Sequence, residues 1–223
     1  MKLLLIFRGE NQRYRNGYTG LIKATECLDN WNTTLFDDLK INNIDYDVMF
    51  ITYESPILQE LIEKIKPVKV ITDGPPKQAG HLITASNLML QQKHNYDRIV
   101  VLRYDIQYRF KITQWPKWSN TGIFIVSKDV NWHNNKCYHD FLFIVDSPYV
   151  DHLCNAIKDA MDGEDYHNRI GSYLYHNNIP FELMYQHGYH LVNHPLYALK
   201  HFEAEPDIEN PYPCIIITTF DKE

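Results

Sequence analysis

The sequence predicts an α/β fold: a Rossmann-like, mixed but mostly parallel central sheet flanked by helices, forming a single domain over residues 1–223. Three observations predict it. Apolar, β-branched runs alternate with segments of helical period through the first hundred residues, the pattern of parallel strands joined by right-handed crossover helices. The run Arg98-Ile-Val-Val-Leu102 then places four apolar residues in a row, as in a strand buried on both faces, and ends abruptly in two charges, Arg103 and Asp105. Past residue 105, strand-like runs lie too close together for crossover helices, so part of the second half is antiparallel. The domain thus divides into halves at 1–105 and 106–223.

Leu3 to Phe7 is the first strand, and the polar, irregular stretch from Arg8 to Tyr18 is a loop at the sheet edge. Leu21, Ala24, Thr25 and Leu28 carry helical spacing, and Tyr46 to Thr52 is a second strand. Ser55-Pro56 supplies an N-cap and a proline at the first helical position, followed by Leu58, Leu61, Ile62 and Ile65 on one face up to Pro67. Val68 to Thr72 is a third strand, Asp73-Gly-Pro-Pro76 a turn, and Ala79 to Lys93 a helix with Leu82, Ala85, Leu88 and Met89 on its buried side. After the fourth strand come strand-like runs at 106–110, 122–126 and 141–145, helices over 149–161 and 165–176, a last strand over 180–184 and an extended tail. Asp146 is expected as a turn residue before Ser147-Pro148.

Composition narrows the class. With 44% hydrophobic and 22% charged residues the chain can bury one sizeable core, and no apolar run approaches the roughly 20 residues of a membrane span. The opening Met-Lys-Leu-Leu-Leu-Ile-Phe passes at once into Arg-Gly-Glu-Asn, which is the pattern of a first strand and not of a signal peptide. The four cysteines, Cys27, Cys137, Cys154 and Cys214, lack paired metal-site spacing and are expected as free thiols in a reducing, cytoplasmic setting. A net charge of −6 argues against broad capture of nucleic acid. Gly-x-Gly-x-x-Gly, P-loop, Gly-x-Ser-x-Gly and His-Glu-x-x-His motifs are all missing, which removes the usual support for dehydrogenase, NTPase, hydrolase and zinc-protease readings.

A charge cannot stay inside a strand buried on both faces, so Asp105 projects from the C-terminal edge of the sheet, where open α/β sheets form ligand crevices. The same edge collects other candidates. Phe7-Arg8-Gly9 ends the first strand next to the expected switch point, with Gly9 allowing a tight backbone path and Arg8 reaching a phosphate. Tyr53 ends the second strand and offers a face for a base, Asp73 ends the third and can accept a hydrogen bond from uracil or ribose, and Gln78 stands at a helix N-terminus able to face phosphate. Each has a plainer reading as a surface arginine, packed tyrosine or turn aspartate, and Arg103 with Asp105 as a solvated pair.

Leu102-Arg103-Tyr104-Asp105-Ile106 resembles the Arg-x-Asp variant of the Asp-x-Asp motif of GT-A glycosyltransferases. Asn120-Thr-Gly-Ile-Phe-Ile-Val126 and His139-Asp140-Phe-Leu-Phe are similar to later segments of that family, and the Phe7-Arg8-Gly9 and 73–90 segments resemble small viral (chlorovirus) and bacterial sugar transferases. The resemblance implies a GT-A fold, with 1–105 as the nucleotide-binding half and 106–223 as the acceptor-side half. It also implies a metal-dependent glycosyltransferase moving a sugar from a nucleotide-sugar donor, UDP-linked, to a glycan hydroxyl in the cytoplasm, which for a viral protein is that of the host. Mn²⁺ or Mg²⁺ would sit at Asp105, because these ions prefer hard oxygen ligands and neutralise a diphosphate leaving group. Arg103 stands where the family commonly has an aspartate, so it would contact phosphate or ribose. A second metal ligand would come from a late histidine, His187, His190, His194 or His201, with His194 best placed, while Asp140 would face the reacting sugar. A nucleotidyltransferase and a non-catalytic glycan-binding module using Trp115, Trp118 and Trp132 are the alternatives.

Overall fold

Leu3 to Phe7 are all at 0% exposure, which only the middle of a sheet covered on both sides can provide. The computed structural model describes residues 1–14, 21–74, 77–126, 142–161, 166–184 and 197–199. In chain order, β1 (Lys2–Arg8) leads to β2 (Gln12–Tyr14) and β3 (Leu21–Lys23). A helical run over 24–41 follows, containing α1 (Leu28–Trp31), a π turn (Asn32–Phe36) and α2 (Asp37–Ile41). Then come β4 (Asp45–Ile51), α3 (Leu58–Ile65), β5 (Lys69–Ile71), α4 (Lys77–Gln92), β6 (Arg98–Arg103) and β7 (Ile106–Tyr108). The second half adds β8 (Ile123–Ile125), β9 (Phe143–Asp146), α5 (Val150–Met161), α6 (Tyr166–His176), β10 (Glu182–Leu183) and β11 (Tyr197–Leu199).

The main sheet has the order β10-β8-β9-β6-β1-β4-β5. β1 pairs in parallel with β4 on one side and β6 on the other, and β9 runs antiparallel to both β6 and β8. This is the expected α/β architecture, a mixed, mostly parallel sheet flanked by helices, with its reversal in the second half.

Successive side chains along a strand face opposite sides, so β1, β4 and β6 each feed two cores. Leu3, Leu5, Phe7, Phe50, Val100 and Leu102 pack with Trp31, Leu35 and Leu39 of the 24–41 run and Leu58 and Leu61 of α3. Leu4, Ile6, Ile51, Ile99 and Val101 pack with Leu82, Ala85 and Met89 of α4 and Leu153 and Ile157 of α5. Each such side chain contributes roughly 1.5–3 kcal/mol on leaving water. Arg8 follows Ile6 and Arg103 follows Val101 by two residues, so the same alternation carries both arginines onto the α4 side.

The structure changes several expected elements. Leu21 to Lys23 pairs antiparallel with Gln12 to Tyr14, so a small hairpin replaces the expected edge loop and the expected start of the first helix. Helix α3 begins at Leu58, and Ser55 serves through its backbone carbonyl, which accepts from the Leu58 N–H at 3.2 Å; no side-chain cap forms. β11, within the expected tail, pairs with β7. Asp146 ends β9 and is no turn residue. Its Oδ1 accepts from Arg98 Nε at 2.8 Å, and its Oδ2 accepts from Arg98 Nη2 at 3.1 Å and from the Gly122 N–H at 2.7 Å. Arg98 also donates to the carbonyls of Trp118 and Asn120, so one buried ion pair ties the starts of β6 and β8 to the end of β9. Sequence alone could not pair residues so far apart.

Removing one member of a buried, fully bonded pair leaves the other charge stranded. Asp146→Ala should lower unfolding free energy by about 3 kcal/mol or more, measured by urea denaturation. A loss below 1 kcal/mol would show that the pair does not hold this end of the sheet.

Candidate functional site

From β1 the chain winds outward to β4 and β5 on one side and to β6 on the other, so the order reverses between β1 and β6. Open parallel sheets form their ligand crevice at such a switch point, beyond the carboxyl ends of the strands. Those two ends carry Arg8 and Arg103, which are register partners. Both are buried, at 0% and 6% exposure. Asp105, two residues past β6, is buried beside them at 5%, and its two oxygens accept from Arg103 Nε at 2.9 Å and from Arg103 Nη2. This is a forked guanidinium–carboxylate pair, the strongest form of such contact. The sequence reading sent Arg103 to phosphate and Asp105 to a cation, with a solvated pair of the two as the plainer reading; here they pair, and the pair is buried.

The segment that follows is clamped from the far side of the sheet. Trp31 Nε1 donates to the Ile106 carbonyl at 2.7 Å. Asn30 grips the Tyr108 backbone twice, donating to its carbonyl at 2.8 Å and accepting from its N–H at 2.6 Å. The helical run 24–41 therefore sets where Asp105 lies. Phe7, nominated for the nucleotide pocket, is fully buried with Trp31 (4.7 Å between ring centroids), Phe36, Phe50 and Tyr104. Its side chain supports the site from inside the core and does not line the crevice.

Gly9 has φ +112°, and no atom lies within 4 Å of where a β-carbon would be. Backbone conformation, not crowding, calls for glycine there. Its N–H donates to the Ile51 carbonyl at 3.0 Å, turning the chain off β1 across the end of β4. Asn11, 2% exposed, donates from Nδ2 to the Tyr53 carbonyl at 3.1 Å and so ties this turn to the segment after β4. Tyr53 is half-buried, with its ring 4.3 Å from that of His81 at 43°. Asp73 is exposed two residues after β5, and Gln78 lies in the first turn of α4. Asp140 and His194, with the alternatives His187, His190 and His201, lie outside the described residues, as do Cys137 and Cys214; Cys27 and Cys154 are buried thiols.

The residue that sequence reasoning missed is His81. It precedes Ala85 by four and Leu88 by seven, a polar side chain on the buried stripe of an otherwise apolar helix face, and that was the available signal. It is 1% exposed, and neither ring nitrogen finds a hydrogen-bond partner among the described residues. A buried donor or acceptor left unmatched costs about 1–3 kcal/mol. Burial, and secondarily the Arg8 charge, lower its pKa from 6.5 to about 4, so the imidazole is neutral near pH 7.

Among the described residues no group of three or more His, Cys, Asp or Glu side chains could hold a metal ion. Asp105 is one hard carboxylate with both oxygens bonded by Arg103, and a single carboxylate is no cage for an ion by itself. No described helix is long and apolar enough to cross a membrane.

No family model matches the chain, and no curated protein matches it. Among solved structures it is similar to mouse xyloside xylosyltransferase 1 in its apo form, at 12% identity over 82% of this chain and 85% of that one, with a TM-score of 0.41. That likeness is weak and distant.

The His81 shift has a thermodynamic consequence. The unfolded imidazole takes up a proton near pH 6.5 and the native one only near pH 4. Between these values the unfolded state binds more protons, so stability falls as pH drops through the window. His81→Gln should remove about 2 kcal/mol of that acid-side loss, seen as a flatter stability profile between pH 6.5 and 4 in denaturant titrations. Parallel profiles for the two proteins would contradict a neutral buried His81.

Proposed function

We propose that this protein is a glycosyltransferase that takes a sugar from a UDP-linked nucleotide-sugar donor and passes it to a glycan hydroxyl, with Mn²⁺ or Mg²⁺ held at Asp105. The observation that carries the reading is the placement of Arg8 and Arg103, buried and side by side at the switch-point edge with Asp105 against them. Two guanidiniums in a low-dielectric recess favour a ligand carrying two or more negative charges, and a diphosphate supplies them.

In this reading the departing group is the nucleoside diphosphate, and catalysis lies in stabilising the charge that collects on its oxygens as the bond to the sugar breaks. A divalent cation, when bound, adds positive charge at those oxygens. Arg8 and Arg103 orient the diphosphate. Asp105 has both oxygens engaged by Arg103, and it would hold the cation where a diphosphate took over the guanidinium. His194 is the proposed second ligand, and Asp140 is the proposed carboxylate at the reacting sugar.

The reading predicts that metal and nucleotide bind together. By calorimetry, Mn²⁺ should strengthen UDP binding to the native protein by about tenfold or more, about 1.4 kcal/mol. Asp105→Asn, shown folded by circular dichroism, should still bind UDP but lose that gain. An equal gain from Mn²⁺ in the variant would remove Asp105 as the cation's ligand.

A further inference from the structure

A second group of buried polar atoms sits along the same edge, displaced from the arginine pair toward β4 and β5. His81 comes from the second turn of α4, Tyr53 from the segment after β4, and Asn11 from the turn after β1. Asn11 Oδ1 and both nitrogens of His81 are buried with no hydrogen-bond partner among the described residues. The His81 ring lies under that of Tyr53, and Asn11 fixes the Tyr53 backbone. Gly74 brings the segment after β5 close: a β-carbon there would stand 3.2 Å from Thr84 Oγ1 and 3.9 Å from His81 Cδ2.

Three buried, unmatched polar atoms beside a half-buried aromatic ring hold hydrogen-bonding capacity that the described residues leave unused. Protein interiors match their polar groups, and a binding site holds groups meant for another molecule. The ligand chemistry follows from what the surface offers. A neutral imidazole presents one N–H and one lone pair, the Asn11 carbonyl oxygen presents an acceptor, and Tyr53 presents a π face. Phosphate would prefer the arginines next door. A nucleoside has the matching set: a flat base that stacks on an aromatic ring, and base-edge or ribose groups that both donate and accept.

We propose that His81, with Tyr53 and Asn11, is the nucleoside-recognition element of this site, so that the base and ribose lie over β4 and α4 while the phosphates reach Arg8 and Arg103. The proposal rests on the glycosyltransferase reading and adds to it the residue that reads the donor's nucleoside. It assigns His81 a binding role through hydrogen bonds and no proton transfer.

The test measures UDP and inorganic pyrophosphate binding by calorimetry in the native chain, His81→Phe, His81→Gln and Asp105→Asn, each with and without Mn²⁺. Phe keeps the ring contact with Tyr53 and removes both nitrogens, so the unliganded variant should melt at the same temperature as the native chain or higher. It should bind UDP about tenfold more weakly and pyrophosphate unchanged. Gln, which keeps one donor and one acceptor, should regain part of the UDP affinity and guards against a Phe variant that packs badly. Undiminished UDP affinity in both His81 variants overturns the proposal, and so does an equal loss for pyrophosphate. If Asp105→Asn meanwhile loses its metal effect, the glycosyltransferase reading survives that failure. Absence of UDP binding by the native chain, with and without Mn²⁺, overturns both.

Discussion

A strand buried on both faces can carry charge only at its ends, and that constraint organises this molecule. β1 and β6 are the two central strands, and their apolar interiors exclude water from both sides of the sheet. Their C-terminal residues are arginines, placed opposite each other by parallel register. Two buried arginines thus end neighbouring strands at the place where strand order reverses.

Buried like charges need compensation, and the structure supplies it unevenly. Arg103 has a forked carboxylate two residues along the chain, a local solution that a tight turn after β6 makes possible. The other end of the sheet uses a distant one, since Arg98 begins β6 and Asp146 ends β9. Both pairs sit on the same strand, one at each end, so β6 is anchored by ion pairs where its apolar run stops. Burial, and secondarily the Arg8 charge, keep the nearby His81 imidazole neutral.

The crevice is shaped by elements remote from it in sequence. Asn30 and Trp31 hold the chain just beyond Asp105, and Phe7, Phe50 and Tyr104 pack beneath it. The aromatic cluster and the clasp leave the β6–β7 backbone little freedom and so fix where the Arg103–Asp105 pair lies.

Much of this was legible in the sequence, because period and composition are local properties. The alternation of apolar strands with helical stripes, the abrupt end of the β6 run at Arg103 and Asp105, and the crowding of later strands led directly to a mixed α/β sheet with charge at its C-terminal edge. The hairpin over β2 and β3 was not legible: three-residue strands carry too little pattern to separate from a loop or a helix start. Nor was the pairing of Arg98 with Asp146, which joins residues far apart in the chain; that of Arg103 with Asp105 was legible as a pair, but as a solvated one, and only the fold shows it buried. His81 reads as one polar residue on an apolar stripe, and only packing α4 against the end of β4 turns it into a buried imidazole beneath Tyr53. By itself the sequence determined the layers and the edge where charge must emerge, because burial pattern along a strand is set residue by residue. Tertiary structure alone decided which charges pair, which ring lies under which, and which nominated residue, Phe7, belongs to the core, because those depend on contacts between segments that the chain order does not encode.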